Sequence, residues 1–230
     1  MKGSISKNHA FFRKILNTLF LTYAGWNKRP PLLDSKKIFP ESQILEENFL
    51  EIKEEIDNLV FRRNLTAYKD IDPIRAKEVS ENWKLYYVSF MWKENQQANK
   101  DCPKLLQLIK QMPSLINVTI AVLEPGVGLA AHKGPYAGIL RYHLGITVPK
   151  NNPPFIRVSD QNYTWQVGKS IIIDDCYDHE VTNHSDDIRV ILMVDIMRPM
   201  PFLLNYLNKK CLFLQKKWSN HFIDKANADY

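Results

Sequence analysis

Cysteine is scarce in this 230-residue chain: Cys102, Cys176 and Cys211 are the only three, and no two are close together. An odd number with no CxxC spacing excludes a disulfide framework, so a reducing, cytoplasmic setting is the expectation. Long apolar runs are also missing. The best candidate, Ala10 to Trp26, is broken by Arg13 and Lys14. It is too short and too charged to cross a membrane, and it has no small-residue cleavage site after a clean apolar core. An amphipathic helix lying on a membrane, or one packed on the protein's own core, both fit it. The chain has no internal repeat and no low-complexity segment.

What is present is ordinary in bulk. Apolar residues make up 45% and charged residues 24%, which suits a soluble domain with a full core. The net charge of +6 is concentrated near the ends, at Lys2, Lys7, Arg13 and Lys14, then at Lys209, Lys210, Lys216 and Lys217. Such a distribution favours an acidic partner, a membrane surface or nucleic acid on charge alone, with simple solubilisation as the alternative.

Along the chain, residues 10–25 predict a helix and Asn27 to Pro40 a proline-marked extended connection. Leu45, Phe49, Ile52, Ile56 and Leu59 recur at helical spacing, so residues 41–63 predict one amphipathic helix. Asn82 to Trp92 reads as a strand, and Pro103 to Met112 as a short helix. From Ile116 the period switches to two. Residues 116–124, 126–132, 139–148, 155–159, 163–167, 169–175, 179–183 and 188–196 predict eight short strands between Gly, Pro, Asn and Asp turns. This argues for a closed sandwich or barrel. A basic amphipathic helix follows from Phe202. The expected organisation is a helical region over 1–80, a β domain over 81–200, and a C-terminal helical segment over 201–230.

Four polar side chains within the β-rich stretch can carry chemistry besides Arg141. His132 ends one strand and His179 begins another, and imidazole is the commonest metal ligand near neutral pH. Two histidines with open positions suit non-haem Fe(II), although two structural histidines would give the same sequence. The carboxylate that usually follows the first histidine by two residues is missing, because that position is Gly134. Arg189 lies in an apolar strand, where a guanidinium must be paired or exposed at the strand end. A dicarboxylic acid would pair it, and so would Asp174, Asp175 or Glu180. Arg141 and His143 alternate on one strand and so share a face, as a second acid-binding pair or as solvated residues.

The segments LEPGVGLAAHKGPYAGILRYHLGITVP, WQVGKSIIIDDCYDHEVTN and RVILMVDIMRP, with the chain around them from about Trp83 to Pro199, resemble the aspartyl/asparaginyl β-hydroxylase family. That family includes bacterial enzymes that hydroxylate an acyl chain of lipid A. The resemblance implies a mainly β fold with flanking helices, a double-stranded β-helix of the jelly-roll or cupin-like kind. It implies Fe(II) held by only two histidines, His132 and His179, with water replacing the carboxylate, so Gly134 fits the family pattern. It implies that Arg189 binds the distal carboxylate of 2-oxoglutarate, with Arg141 and His143 near its metal-binding end. Dioxygen is then consumed, 2-oxoglutarate is decarboxylated to succinate, and an unactivated C–H bond is hydroxylated.

Two departures limit the substrate. Protein-hydroxylating members of the family have a serine at Ala121 and a substrate-gripping arginine at Ile139, and isoleucine cannot replace that charge. A peptide, a small molecule and a lipid acyl chain therefore stand as alternative substrates, with no nucleic acid partner expected. The location expected is cytoplasmic, with peripheral contact at the inner face of a membrane through the amphipathic ends. The non-enzyme alternative is a catalytically silent β-barrel that binds a ligand. Asp174 and Asp175 are candidates for orienting His179 or for forming the turn before it.

Overall fold

A computed structural model describes residues 2–72, 76, 77, 80 and 83–226, and the side chains among them except those of 2–11 and 217–226. In chain order the elements are α1 (Lys2–Ala24), β1 (Leu32–Leu33), α2 (Ser35–Ile38), α3 (Ser42–Glu47), α4 (Phe49–Arg62), β2 (Thr66–Ala67) and α5 (Tyr68–Ile71). Then come β3 (Trp83–Phe90), β4 (Lys93–Glu94), α6 (Ala98–Asp101), α7 (Pro103–Ile109), β5 (Leu115–Leu123), β6 (Leu129–His132) and β7 (Ile139–Thr147). β8 (Phe155–Val158), β9 (Gln161–Thr164), β10 (Ser170–Ile173), β11 (His179–Thr182), β12 (Arg189–Met197) and α8 (Phe202–Ala226) complete the chain.

The larger sheet runs β1-β10-β7-β12-β5-β3-β2, with β4 attached to β3, and the smaller runs β6-β11-β8-β9. From β5 onward the chain alternates between sheets: β5, β7, β10 and β12 lie in the larger, and β6, β8, β9 and β11 in the smaller. All pairings between these described strands are antiparallel. Two four-stranded sheets woven this way form a double-stranded β-helix, as expected.

Strand parity decides what faces the interior. β12 is buried on both faces, so Val190 to Val194 form a continuous apolar run between Arg189 and Asp195. Val190, Leu192, Val194 and Ile196 pack outward against Ile52, Ile56 and Leu59 of α4 and the helices beside it. Ile191 and Met193 point the other way, into a second core with Leu129, Ile156, Trp165 and Val181. Arg189 and Asp195 share that inward parity, as do Arg141 and His143 on β7. Every polar side chain of interest on these strands therefore faces the space between the sheets.

Local details differ from the sequence expectations. The helix expected over 41–63 is divided at Asn48, which leaves helical geometry (φ −99°, ψ 21°). The Asn48 side chain donates to the Ile44 carbonyl, offering the backbone a local alternative to the helical ladder. The proline-rich connection contains β1, which pairs with β10. The strand expected over 163–167 ends at Thr164, because β9 pairs over Gln161–Thr164 and Val167 bridges Gly145 instead. Asn82, expected to begin β3, lies outside the described residues, and the expected boundary at 80/81 adjoins such residues.

Candidate active site

β6 and β11 pair in the smaller sheet with His132 directly opposite His179. Residues far apart in sequence thus become cross-strand neighbours, with ring centroids 4.2 Å apart. Each ring is oriented from behind by a backbone carbonyl. His132 Nδ1 lies 2.7 Å from the Ala130 oxygen, and His179 Nδ1 lies 3.0 Å from the Tyr177 oxygen. A carbonyl only accepts, so each Nδ1 carries the proton and each Nε2 presents a lone pair. That tautomer is the one a metal requires.

The cavity in front of the pair is lined by both histidines with Arg141, His143, Trp165 and Arg189 among apolar residues of the two sheets. Arg189 is buried at 1% exposure, and its Nε has no hydrogen-bond partner. Its guanidinium carbon lies 4.6 Å from the centre of the Trp165 ring. Burial alone pushes its pKa down to about 9. The carboxylates weighed as its partners are engaged elsewhere: Asp174 with Arg29 and Arg198, Asp175 with Arg141, and Glu180 with Arg157. His143 is also buried, and neither ring nitrogen finds a partner. Desolvation first, then the nearby Arg141 and Arg189 cations, hold it neutral. Trp83 and Trp165, which line the same space, each have an indole N–H without a partner. Unmet buried donors are costly at about 1–3 kcal/mol each, so a cavity ringed by them is built to receive an acceptor-rich ligand.

Arg141 is held differently. Its Nε donates to Asp195 Oδ1 at 2.7 Å, its register partner on β12, and a second nitrogen lies 3.5 Å from Asp175 Oδ2. Desolvation disfavours this cation, but Asp195 and Asp175 outweigh that and keep it charged. Asn117 donates to Asp195 from the other side. Asp175 is buried, which raises its pKa despite Arg141. Asp174 accepts from Arg29 at 2.6 Å and from Arg198 at 2.8 Å. Asp174, Asp175 and Cys176 have potential ligand atoms within 4.8 Å of one another. This cluster is already neutralised by three guanidiniums, and burial pushes the Cys176 thiol up to about 12, so it is an ion-pair network that fixes the turn before His179.

The cavity thus gathers His132, His179, Arg189, Arg141 and His143. Ala121 is buried within the interior core, while Ile139 packs with the cluster under α1 and α8. Trp165 and Asp195 complete the site without a distinct sequence motif. For Asp195 a signal existed: an acid inside an apolar strand, at the same parity as Arg189. A larger open depression, lined by Asn64, Lys69, Lys84 and Glu124 among others, shares no lining residue with this site, and Lys84 and Glu124 there pair at 2.7 Å.

A family model described as aspartyl/asparaginyl beta-hydroxylase matches residues 46–199. The ornithine lipid ester-linked acyl 2-hydroxylase of Rhizobium tropici is 32% identical over 95% of this chain and 84% of its own. The human aspartyl/asparaginyl beta-hydroxylase is 30% identical over 51% of this chain, a stretch that spans 16% of the human protein. Among solved structures, a cupin domain of a transcriptional regulator from Enterobacter cloacae superposes with a TM-score of 0.36 at 10% identity, over 51% of this chain and 98% of that one. With the family model spanning most of the chain, including both opposed histidines and the buried arginine, the chain belongs to the aspartyl/asparaginyl β-hydroxylase family and is a hydroxylase.

Proposed function

We propose that the protein is an Fe(II)- and 2-oxoglutarate-dependent hydroxylase that acts on an ester-linked acyl chain of a polar lipid. The observation that carries the cofactor reading is Arg189, a buried guanidinium with an unmet donor and no carboxylate paired to it among the described residues, in one cavity with the opposed histidines. His132 and His179 would hold the metal through Nε2, their rings fixed by the Ala130 and Tyr177 carbonyls. Arg189 would grip the distal carboxylate of 2-oxoglutarate, and neutral His143 would donate one N–H to the co-substrate. Arg141, anchored by Asp195, would add positive charge beside its metal-proximal end. When bound, iron with 2-oxoglutarate and dioxygen supplies the oxidation of an unactivated C–H bond, with succinate and CO2 as co-products. The two tryptophans and the aliphatic walls exclude water from that chemistry.

Two observations support the lipid part. The likeness to a lipid acyl hydroxylase runs through 95% of this chain, whereas the likeness to the human aspartyl/asparaginyl hydroxylase covers about half. Ile139 also offers no charge to an acidic side chain.

The test is succinate formation by the Fe(II)-loaded protein with 2-oxoglutarate, comparing ornithine lipid, lipid A, free ornithine and an acidic peptide, with mass spectrometry of each product. Succinate coupled to one added oxygen on an ester-linked acyl chain is expected. Turnover with the peptide or free amino acid alone overturns the lipid reading, and no turnover with any substrate overturns the enzyme reading.

A further inference from the structure

The two terminal helices have an outer face that the protein does not use internally. On α1, Leu16 and Phe20 are buried, while Phe12, Ile15, Leu19 and Tyr23 recur at helical spacing on the exposed side. On α8, Cys211 and Leu212 are buried, while Phe202, Leu203, Tyr206, Phe213 and Leu214 are exposed. Phe202 is 87% exposed and Phe213 59%, far more than large apolar side chains on a helix packed by its own fold require. Basic residues accompany this apolar surface: Arg13 and Lys14 on α1, Lys209 and Lys210 on α8, all exposed. Lys210 sits over the Tyr206 ring at 5.5 Å. By sequence, α1 carries four basic residues and no acid, and α8 five basic residues and one acid, so the rest of this +6 chain is net acidic. No helix among the described residues is long and apolar enough to span a bilayer.

We propose that α1 and α8 together form a docking surface for an anionic lipid bilayer. Aromatic and leucine side chains enter the headgroup boundary, and the lysines and arginine meet acidic headgroups. Charge selects this occupant. A second copy of the chain would set the same basic helices against each other, and an apolar protein partner would leave the lysines unmatched.

The same helices hold the segment that leaves the metal-binding strand. Asn17 of α1 donates to the Pro135 carbonyl and accepts from the Ala137 N–H. Asn208 of α8 accepts from the Tyr136 hydroxyl and donates to the Gly138 carbonyl. Their inner faces share one core with Tyr136, Ala137 and Ile139. Docking therefore sets the bilayer beside the chain that runs from His132 to Ile139. This deepens the lipid reading and rests on it for its purpose, while the surface itself stands on exposure and charge.

The test is flotation of the full-length protein with mixed phosphatidylcholine–phosphatidylglycerol vesicles and with pure phosphatidylcholine vesicles. The wild type is expected to float with the anionic vesicles and to be released by salt. Lys209→Glu with Lys210→Glu is expected to weaken partitioning by roughly tenfold or more, and Phe213→Ser with Leu214→Ser to do the same. Thermal unfolding of both double variants confirms folding, and the charge variant alone keeps the test valid should the apolar one fail. Absence of flotation, flotation indifferent to both variants, or light scattering that shows a dimer dissolved by the apolar variant would each overturn the proposal. Hydroxylation of detergent-dispersed lipid without flotation would overturn docking and leave the catalytic reading intact. Flotation without lipid hydroxylation would do the reverse.

Discussion

Asp175 stands where a side chain at Gly134 would go. A Cβ built on Gly134 would lie 2.3 Å from Asp175 Cγ, and the Gly134 N–H donates to the Asp175 carbonyl at 2.6 Å. Gly134 is the position from which three-ligand oxygenases extend a carboxylate to iron. Here a buried carboxylate instead arrives from the turn before β11, restrained by Arg141. The glycine at position 134 is thus a packing requirement as well as a chemical difference from three-ligand oxygenases.

Gly134→Ala is accordingly expected to destabilise the protein by about 1–3 kcal/mol through overpacking. Adding Asp175→Gly should recover part of that loss, giving strongly non-additive energies in chemical denaturation. Gly134→Asp is expected to lower metal affinity rather than create a three-ligand site. Additive energies for the first pair, or tighter Fe(II) binding by the last variant, would contradict the geometry.

Arg189 links stability to co-substrate. A buried guanidinium whose Nε lacks a partner weakens the ligand-free fold, so Arg189→Met should raise ligand-free stability by about 1–4 kcal/mol, roughly 2–4 °C per kcal/mol for a chain of this size. The same change should abolish the thermal shift that saturating 2-oxoglutarate gives the wild type, on the order of 5–10 °C at a hundredfold excess over Kd. Arg189→Lys should not restore it, since an ammonium lacks the two-pronged geometry. The pH dependence follows from a cation pKa depressed to about 9. The penalty on the ligand-free fold is fully present below pH 9 and fades as pH rises from there toward the unfolded value. Co-substrate affinity, which needs the cation, should be flat from pH 6 to about 8 and fall about tenfold per unit above 9. Titration calorimetry across that range checks both signs.

Much of this was readable from residues, and the remainder depends on register. Period-two patterning marks the strands, and parity alone puts Arg141 with His143 and Arg189 with Asp195. Patterning cannot say that His132 opposes His179, or that Arg141 meets Asp195, because those pairings are set by which strands neighbour each other across the sheets. Arg29, Asn17 and Asn208 were illegible for a related reason. Each is an ordinary polar residue at a helix or loop, and its importance comes from a contact more than seventy positions away or close to it. The break at Asn48 was hidden because the apolar spacing continues across it.

The opposed histidines make a direct metal prediction. His132→Ala or His179→Ala should weaken Fe(II) or Co(II) binding by more than roughly hundredfold, exceeding the loss typical of an outer partner. The visible band of the anaerobic Fe(II)–2-oxoglutarate complex should vanish in both. His143→Phe should retain metal binding and lose co-substrate affinity, since its nitrogens face the cavity without a protein partner. Equal loss of metal in all three variants would place His143 among the ligands.

Asn208 provides the last test, because it joins α8 to the loop after His132. Its side chain is fully buried, accepting from Tyr136 Oη at 2.8 Å and donating to the Gly138 oxygen at 2.6 Å. A Cβ on Gly138 would lie 2.2 Å from its Oδ1, so the glycine is what lets the amide approach. Asn208→Leu removes the acceptor of the buried Tyr136 hydroxyl, while the Gly138 oxygen keeps its bond from the Arg198 N–H, and should cost about 1–3 kcal/mol, lowering Tm by roughly 2–12 °C. Asn208→Asp keeps the acceptor for Tyr136 but loses the donor to Gly138 and adds a buried charge, so it should be no better than leucine. Because the loop begins directly after His132, the proposed metal ligand at the end of β6, the loss should also appear in turnover. KM for the carbon substrate is expected to rise more than that for 2-oxoglutarate, since the bonds of Asn208 run to Tyr136 and Gly138 of the loop rather than to Arg189 or His143. An unchanged ratio of the two constants, with stability alone reduced, would show that the clamp supports the fold without shaping the mouth of the site.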